Sequence, residues 1–224
     1  MNESAVSAVV FDMDGVLTDT ETIWDEVRQA LAAQEDVPWP EQATHAMMGM
    51  STPEWSQYMA TTVGVGGDAA AVAERTIDEM AARYHQHLPT LPGAVAAVER
   101  LSQRWPLGLA SSSPRRLIDA VLAELGLAER FAATVSTEEV AAGKPSPDGY
   151  VRACELLGVD PSRAVAIEDS SNGIRSAAAA GMKVIAVPHD AFPPAADALA
   201  LTAAVVRSLD EVTTELVERL VARP

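Results

Sequence analysis

A chain of 224 residues with 48% hydrophobic and 21% charged residues has the composition of a globular protein of one or two domains. The formal net charge of −16 argues against nucleic-acid partners, which need a basic surface, but does not exclude a small anionic ligand. No apolar run is long enough for a membrane span and no secretory signal is seen, so we expect no membrane partner. The one cysteine, Cys154, excludes an internal disulfide and suggests a reducing compartment, the cytoplasm.

Short apolar runs alternate with amphipathic helical patterns along most of the chain. A helix is predicted over 113–125, with Ser113 as its cap, Pro114 in its first turn and Gly126 at its end. Strands that alternate with helices predict an α/β fold with a doubly wound parallel sheet. The six predicted strands, of which the last is the weakest, are 6–11, 107–110, 132–135, 164–167, 184–187 and 204–206.

Residues 18–88 interrupt this alternation. No strand pattern occurs there, and apolar residues recur at helical spacing around Trp24 and again around Met80. We therefore predict an all-helical insert directly after the first strand. Its position places it over the strand ends, where α/β proteins bind ligands.

The first predicted strand ends on two carboxylates. Asp12 and Asp14 occupy alternate positions, and Gly15 allows the backbone to turn away directly after them. Alternate side chains of an extended segment share a face, so the two acids would repel each other unless a metal or proton chemistry offsets the repulsion. Two solvated loop aspartates remain the alternative, because so short a motif also arises by chance.

Further polar groups follow other predicted strands. Ser111 follows the second strand, Lys144 lies downstream of the third, and Glu168 and Asp169 follow the fourth. Because the carboxyl ends of parallel strands meet at one edge, we expect these groups to converge with Asp12 in one crevice. Taken singly, each has an ordinary alternative: a helix-capping serine, a solvated lysine, and acids in the first turn of a helix.

The chemistry of these groups is consistent with phosphoryl transfer. Asp12 can be a nucleophile, and Asp14 can protonate a leaving oxygen and later accept a proton from water. Asp12 and Asp169 offer the hard oxygen ligands that Mg²⁺ prefers. Ser111 can donate a hydrogen bond to a phosphate oxygen, and Lys144 supplies positive charge.

Four short segments carry a resemblance to a known family. The segments FDMDG, LASSS, GKP and IEDS, at 11–15, 109–113, 143–145 and 167–170, resemble in order the four motifs of the haloacid dehalogenase superfamily. The resemblance is to the branch with a helical cap after the first motif, and it covers nearly the whole chain. It implies a Rossmann-like catalytic core, a mobile cap, Mg²⁺ and an aspartyl-phosphate intermediate. We expect the core to comprise 1–17 and 89–224, and the cap 18–88.

The resemblance also implies a role for each motif residue. Asp12 is then the nucleophile and a metal ligand, and Asp14 is the acid/base and binds the metal through its carbonyl. Ser111 and Lys144 hold the phosphate, and Asp169 ligates the metal. The remaining implied contacts are those of the Met13 and Ser112 amides with the phosphate, and of Glu168 with the metal, directly or through water.

Details within the branch narrow the expected activity. Asp14 argues against dehalogenases and phosphonatases, which lack this second acid. A β-phosphoglucomutase-like phosphosugar mutase is the main alternative, but Trp24 stands where such mutases have a cap histidine, and the cap arginine expected near Thr52 is missing. We therefore expect a Mg²⁺-dependent phosphatase that acts on a small phosphorylated metabolite, a sugar phosphate, with Glu21 and Trp24 contacting the substrate. A non-catalytic binding module is a further alternative, which the complete motif set disfavours. We expect a monomer.

Overall fold

The computed structural model describes residues 6–47, 50–189 and 193–221. Its six strands are β1 (Ala8–Phe11), β2 (Leu107–Ser111), β3 (Phe131–Ser136), β4 (Ala164–Glu168), β5 (Lys183–Ala186) and β6 (Ala204–Val205). Its α-helices are α1 (Glu21–Gln34), α2 (Ala43–Met47), α3 (Thr52–Tyr58), α4 (Ala69–Gln86), α5 (Ala94–Ser102), α6 (Arg115–Glu124), α7 (Asp148–Leu157), α8 (Ser171–Ala179), α9 (Ala196–Leu199) and α10 (Thr214–Val221). No helix of the described ranges is long and apolar enough to cross a membrane.

The strands form one parallel sheet in the order β3-β2-β1-β4-β5-β6. All six predicted strands are confirmed, with small differences at their ends. The chain runs outward from β1 in both directions, so the order reverses between β1 and β4. In such sheets ligands bind outside the carboxyl ends of the strands at this reversal. Asp12 and Asp169 follow β1 and β4, the two strands that flank it.

Both faces of the sheet are covered by helices. Successive residues of a strand point to opposite faces, and β1 is fully buried. Val9 and Phe11 belong to the hydrophobic cluster that includes residues of α5 and α6, whereas Ala8 and Val10 belong to the cluster that includes residues of α7 and α8. The continuous apolar run of the first strand therefore reflects burial on two sides.

The predicted helix after β2 exists, but its predicted cap is wrong. Helix α6 begins at Arg115, and Pro114 occupies the N-cap position without a side-chain cap. Ser113 instead donates a hydrogen bond to Asp14 Oδ2 at 2.6 Å. The Ser113 hydroxyl, which the sequence pattern predicted to cap the helix, therefore binds the Asp14 carboxylate instead. Gly126 follows the helix with a φ of +66°, as its predicted role at the helix end requires.

The described part of 18–88 is helical, comprising α1 to α4 and a single π-helical turn at Met59–Val63. The segment that enters this insert and the segment that leaves it run side by side. The Asp19 amide donates to the Pro89 carbonyl at 3.0 Å, and the Leu91 amide donates to the Leu17 carbonyl at 3.0 Å. The insert thus joins the sheet region through a paired antiparallel crossing around Thr18 and Thr90.

Helix α4 of the insert lies against α6 of the sheet region. Arg116 of α6 forms an ion pair with Asp78 at 2.6 Å, and Glu124 contacts His85 at 2.8 Å. These side chains are largely exposed, so each pair adds little to stability. The contact nevertheless holds the insert over one end of the sheet, and a cavity lies there.

Candidate active site

A cavity of about 460 Å³ lies between the carboxyl ends of the strands and the helical insert. Its volume suits a small-molecule ligand. Asp12, Ser112 and Asp169 line it from the loops after β1, β2 and β4, and Lys144 lines it from the loop before α7. Helix α1 contributes to the opposite wall. Side chains far apart in the sequence therefore converge on one space, as predicted from the strand ends.

Lys144 ties two buried carboxylates together. Its Nζ lies 2.8 Å from Asp12 Oδ1 and 2.7 Å from Glu168 Oε1. Burial opposes the charge of Lys144, but the two carboxylates outweigh it and raise the pKa of the ammonium above its usual value. Lys144 is therefore a fixed cation directly beside Asp12. The solvated lysine of the alternative interpretation is excluded, because its side chain is 4% exposed.

Glu168 uses both carboxylate oxygens within the protein. Its Oε1 accepts from Lys144 and from the Tyr150 hydroxyl at 2.9 Å. Its Oε2 accepts from the amides of Asp169 and Ser170 and from the Ser170 hydroxyl, at 3.0 to 3.1 Å. Burial raises the pKa of Glu168, but Lys144 and the hydrogen bonds from Ser170 and Tyr150 together outweigh burial, and the net pKa is lowered. Glu168 thus remains ionised and holds Lys144 in place.

Asp12, Glu168 and Asp169 form an acidic cluster whose oxygens lie within 4.8 Å of one another. Asp169 Oδ1 is buried and has no hydrogen-bond partner among the described residues. Burial and the charge of Glu168 raise the pKa of both Asp12 and Asp169 well above the usual value. Three carboxylates thus face a single lysine, so negative charge is in excess at this point. A divalent cation with oxygen ligands fits this donor set.

Gly15 is required for the approach of Asp169. It has a φ of +78°, and a Cβ atom at this position would lie 2.0 Å from Asp169 Oδ2. Any other residue would be strained in its backbone and would displace the carboxylate. The glycine that the sequence assigned to a turn therefore also makes room for the acidic cluster.

Asp14 lines the cavity and is held by hydroxyl groups. Thr20 Oγ1 donates to its Oδ1 at 2.5 Å, and Ser113 Oγ donates to its Oδ2 at 2.6 Å. Ser111 Oγ lies 3.5 Å from the same Oδ2, a long contact. Two hydroxyls thus fix the carboxylate where it can exchange a proton with a ligand in the cavity.

The side chains of three predicted site residues do not line the cavity. Ser111 is fully buried, and its Oγ accepts from the Ser113 amide at 3.0 Å. The side chain of Met13 packs in the hydrophobic core, and Glu168 is fully buried. The contact predicted for Met13 is that of its backbone amide, and it stays a prediction. The neighbouring residues Ser112 and Ser113 line the cavity in place of Ser111.

The two predicted insert residues both line the cavity. Glu21 is half-buried, and its pKa is raised by burial and by the charge of Asp14. Trp24 is 6% exposed and packs edge-on against Trp55, with ring centroids 5.8 Å apart. Trp24 therefore both packs within the insert and borders the cavity.

Sequence reasoning missed Arg28, which lines the same wall. It lies on α1 at helical spacing from Glu21 and Trp24, so the signal was an arginine on the apolar face of an amphipathic helix. Its guanidinium carbon lies 4.8 Å from the Trp24 ring centroid and 5.1 Å from that of Trp55.

The tight packing around Glu168 predicts that Gly173→Ala destabilises the protein. A Cβ atom at Gly173 in α8 would lie 1.6 Å from Glu168 Oε1, so Gly173→Ala must displace a buried, paired carboxylate. We expect it to lower the free energy of unfolding by about 3 kcal/mol. At Gly149 in α7 the nearest atom would be Thr137 Cγ2 at 3.8 Å, so Gly149→Ala should be neutral or slightly stabilising. Denaturant unfolding compares the two; equal effects would contradict this account of Glu168.

The comparisons with known proteins agree with this geometry. A model of the haloacid dehalogenase-like hydrolases matches residues 6–181. The chain belongs to this family. Validoxylamine A 7'-phosphate phosphatase from Streptomyces hygroscopicus subsp. limoneus is 31% identical over 91% of this chain and 94% of its own. Hexitol phosphatase B from Escherichia coli K12 is 33% identical over 82% of this chain and 84% of its own.

A solved structure supports the fold. The crystal structure of β-phosphoglucomutase from Clostridium difficile is similar with a TM-score of 0.81 over 96% of each chain, at 22% identity. This confirms the predicted Rossmann-like α/β fold. The family and the phosphatase names of its relatives confirm that the chain is an enzyme of phosphatase type.

Proposed function

We propose that this phosphatase hydrolyses a sugar phosphate through an aspartyl-phosphate intermediate on Asp12. The observation that carries the proposal is the pairing of Asp12 with Lys144 on the cavity wall, beside a second carboxylate, Asp14, that two hydroxyls hold. A nucleophile, a fixed cation and an acid/base thus border the same space.

Asp12 attacks the phosphorus atom of the bound monoester. A bond forms between the Asp12 carboxylate and phosphorus while the bond from phosphorus to the sugar oxygen breaks. Lys144 lies beside Asp12 and stabilises negative charge on the phosphoryl oxygens. Glu168 keeps Lys144 ionised and in position, so its role is that of a positioning residue.

Asp14 exchanges the protons of both steps. In its protonated form it gives a proton to the departing sugar oxygen, and the resulting carboxylate then accepts a proton from the water that attacks the aspartyl phosphate. The products are the free sugar, inorganic phosphate and regenerated Asp12. Thr20 and Ser113 orient Asp14 for both transfers.

Asp12, Asp169 and the Asp14 carbonyl would hold Mg²⁺, with Glu168 beside them. The unpartnered Oδ1 of Asp169 and the excess of carboxylates fit this assignment. When bound, the ion neutralises the substrate phosphate and the surrounding acids, which otherwise repel each other.

Residues 18–88 act as a cap over a core made of 1–17 and 89–224. The antiparallel crossing at Thr18 and Thr90 supports these boundaries, because the chain enters and leaves the insert there. Glu21 would accept hydrogen bonds from sugar hydroxyls, and Trp24 would contact a sugar face. Hexitol phosphatase B and a phosphorylated carbohydrates phosphatase among the relatives support this substrate class.

A screen of phosphorylated metabolites with Mg²⁺ tests the proposal. We expect inorganic phosphate to be released from at least one sugar monophosphate, and we expect the mutase reaction to be absent. Trp24 can neither donate nor accept a proton as a histidine does, so glucose 1-phosphate and glucose 6-phosphate should not interconvert, even with a hexose bisphosphate added.

The screen needs a blank that carries any contaminating phosphatase. Asp12→Asn protein prepared in the same way provides it. Rapid isomerisation with little phosphate release would contradict the hydrolase assignment and support the mutase. The absence of turnover on every sugar phosphate would contradict the proposed substrate class.

A further inference from the structure

In the described part of the chain, Asp12, Arg28, Glu168 and the side chain of Lys144 are charged and buried. The two carboxylates pair with Lys144. Arg28, which is 7% exposed, forms no hydrogen bond or ion pair within the described ranges, and its Nε is buried without a partner. A buried cation without an anionic partner is unfavourable, so it calls for an explanation.

The surroundings of Arg28 supply only part of what a guanidinium needs. Trp24 and Trp55 pack within cation–π distance of it, and such contacts favour a cation but accept no hydrogen bond. The charges of Glu21 and Asp25 on the same helix raise the pKa of Arg28, but neither acid forms a hydrogen bond or ion pair with it. Asp25 accepts from Thr44 and Gln29 instead, and Glu21 forms no ion pair with Arg28. The donors of the planar fork remain free for a ligand.

Arg28 also lines the cavity into which the substrate must bind. Lys144, on the opposite wall of the cavity, is already paired with Asp12 and Glu168. Burial lowers the pKa of Arg28 to about 10, so the guanidinium keeps its charge at neutral pH. A permanent, desolvated cation therefore stands in the insert wall of the cavity.

We infer that Arg28 is a specificity-determining residue that binds a second anionic group of the substrate, a carboxylate or a second phosphate. A guanidinium fork matches the paired oxygens of either group, and a bidentate contact is stronger in a desolvated site. Preferred substrates are then sugar phosphates that carry an additional negative charge. The inference rests on the proposed function for the placement of the first phosphate.

Binding measured without turnover tests the inference. In an Asp12→Asn background, isothermal titration calorimetry with Mg²⁺ compares two matched ligand pairs. 6-Phosphogluconate differs from sorbitol 6-phosphate by a carboxylate, and fructose 1,6-bisphosphate differs from fructose 6-phosphate by a second phosphate. In one of the two pairs, we expect the ligand with the additional anionic group to bind at least about tenfold more tightly than its partner. The pair that shows the preference identifies the group.

Arg28→Met should abolish this preference, and Arg28→Lys, which keeps the charge without the fork, should reduce it. Arg83→Met is the matched control, because Arg83 lies on α4 of the same insert and pairs at the surface with Glu79 and Glu26. It should leave the preference unchanged. Arg28→Met should not lower the melting temperature, since an apolar side chain replaces an unpaired buried charge. If Arg28→Met fails to fold, Arg28→Lys decides the question.

Two results would overturn the inference: equal affinity of the parent for both members of both pairs, or a preference that both folded Arg28 variants retain. Failure of the proposed function is a separate outcome. An Arg28-dependent preference without sugar phosphate turnover in the wild type would refute the proposed function and keep the anion site. Turnover without any preference would refute the anion site alone.

Discussion

Asp12→Asn is expected to lower the turnover of the best sugar phosphate by about a thousandfold or more. An amide is a very poor nucleophile towards phosphorus, and it is a weaker ligand for a divalent cation than a carboxylate. The fold should persist, because the amide oxygen can still accept the hydrogen bond of Lys144. The variant also removes one of three mutually repelling carboxylates. Phosphate release under saturating Mg²⁺ and the melting temperature together measure both expectations.

Asp19→Asn is the matched control for this loss. It makes the same change from carboxylate to amide on the cavity wall, outside the acidic cluster. We expect its turnover to stay within about tenfold of the wild type. An Asp12→Asn enzyme that retains a tenth of the wild-type turnover, in a preparation free of other phosphatases, would refute nucleophilic catalysis by Asp12.

Removal of the metal should abolish activity as completely as Asp12→Asn does. Without a divalent cation, the acids of the cluster face the phosphate dianion, and among the described residues Lys144 is the one cation paired with them. We expect no turnover in excess chelator and full recovery when Mg²⁺ is restored. Asp169→Ala removes the unpartnered carboxylate oxygen and should raise the Mg²⁺ concentration needed for half-maximal activity by about tenfold or more.

Asp197→Ala serves as the control for the metal site. Its carboxylate is largely exposed and pairs with Arg175, away from the acidic cluster. Its Mg²⁺ dependence should match that of the wild type. Full activity in excess chelator would contradict the metal assignment, and a normal Mg²⁺ dependence of Asp169→Ala would exclude Asp169 as a ligand.

The centre of the sheet could be predicted because strands β1, β2 and β4 are buried on both faces and therefore appear as short apolar runs between helices. The position of Asp12 at a strand end could be predicted for the same reason, because Asp12 directly follows such an apolar run. The cap of α6 was not predictable. Whether Ser113 caps a helix or binds a carboxylate depends on Asp14, which lies far away in the sequence. A local pattern cannot decide between two partners of one hydroxyl.

The insert side of the cavity was only partly predictable. Glu21 and Trp24 were assigned from their place in the chain, and both line the cavity. Arg28 lies on the same face of α1, but a charged residue in an amphipathic helix is normally solvated. Its burial depends on Trp55 of α3, which the tertiary fold brings over the guanidinium. The sequence contains no signal for that contact.

Chemical trapping of the phosphorylated enzyme tests the central claim most directly. During turnover of the best sugar phosphate, quenching with borohydride should reduce an aspartyl phosphate and convert the modified aspartate to homoserine. Peptide mass spectrometry then locates the residue. We predict homoserine at Asp12 in the wild type, dependent on substrate, and none at this position in Asp12→Asn. Sustained phosphate release with no modification at Asp12, or with the modification at another carboxylate, would contradict it.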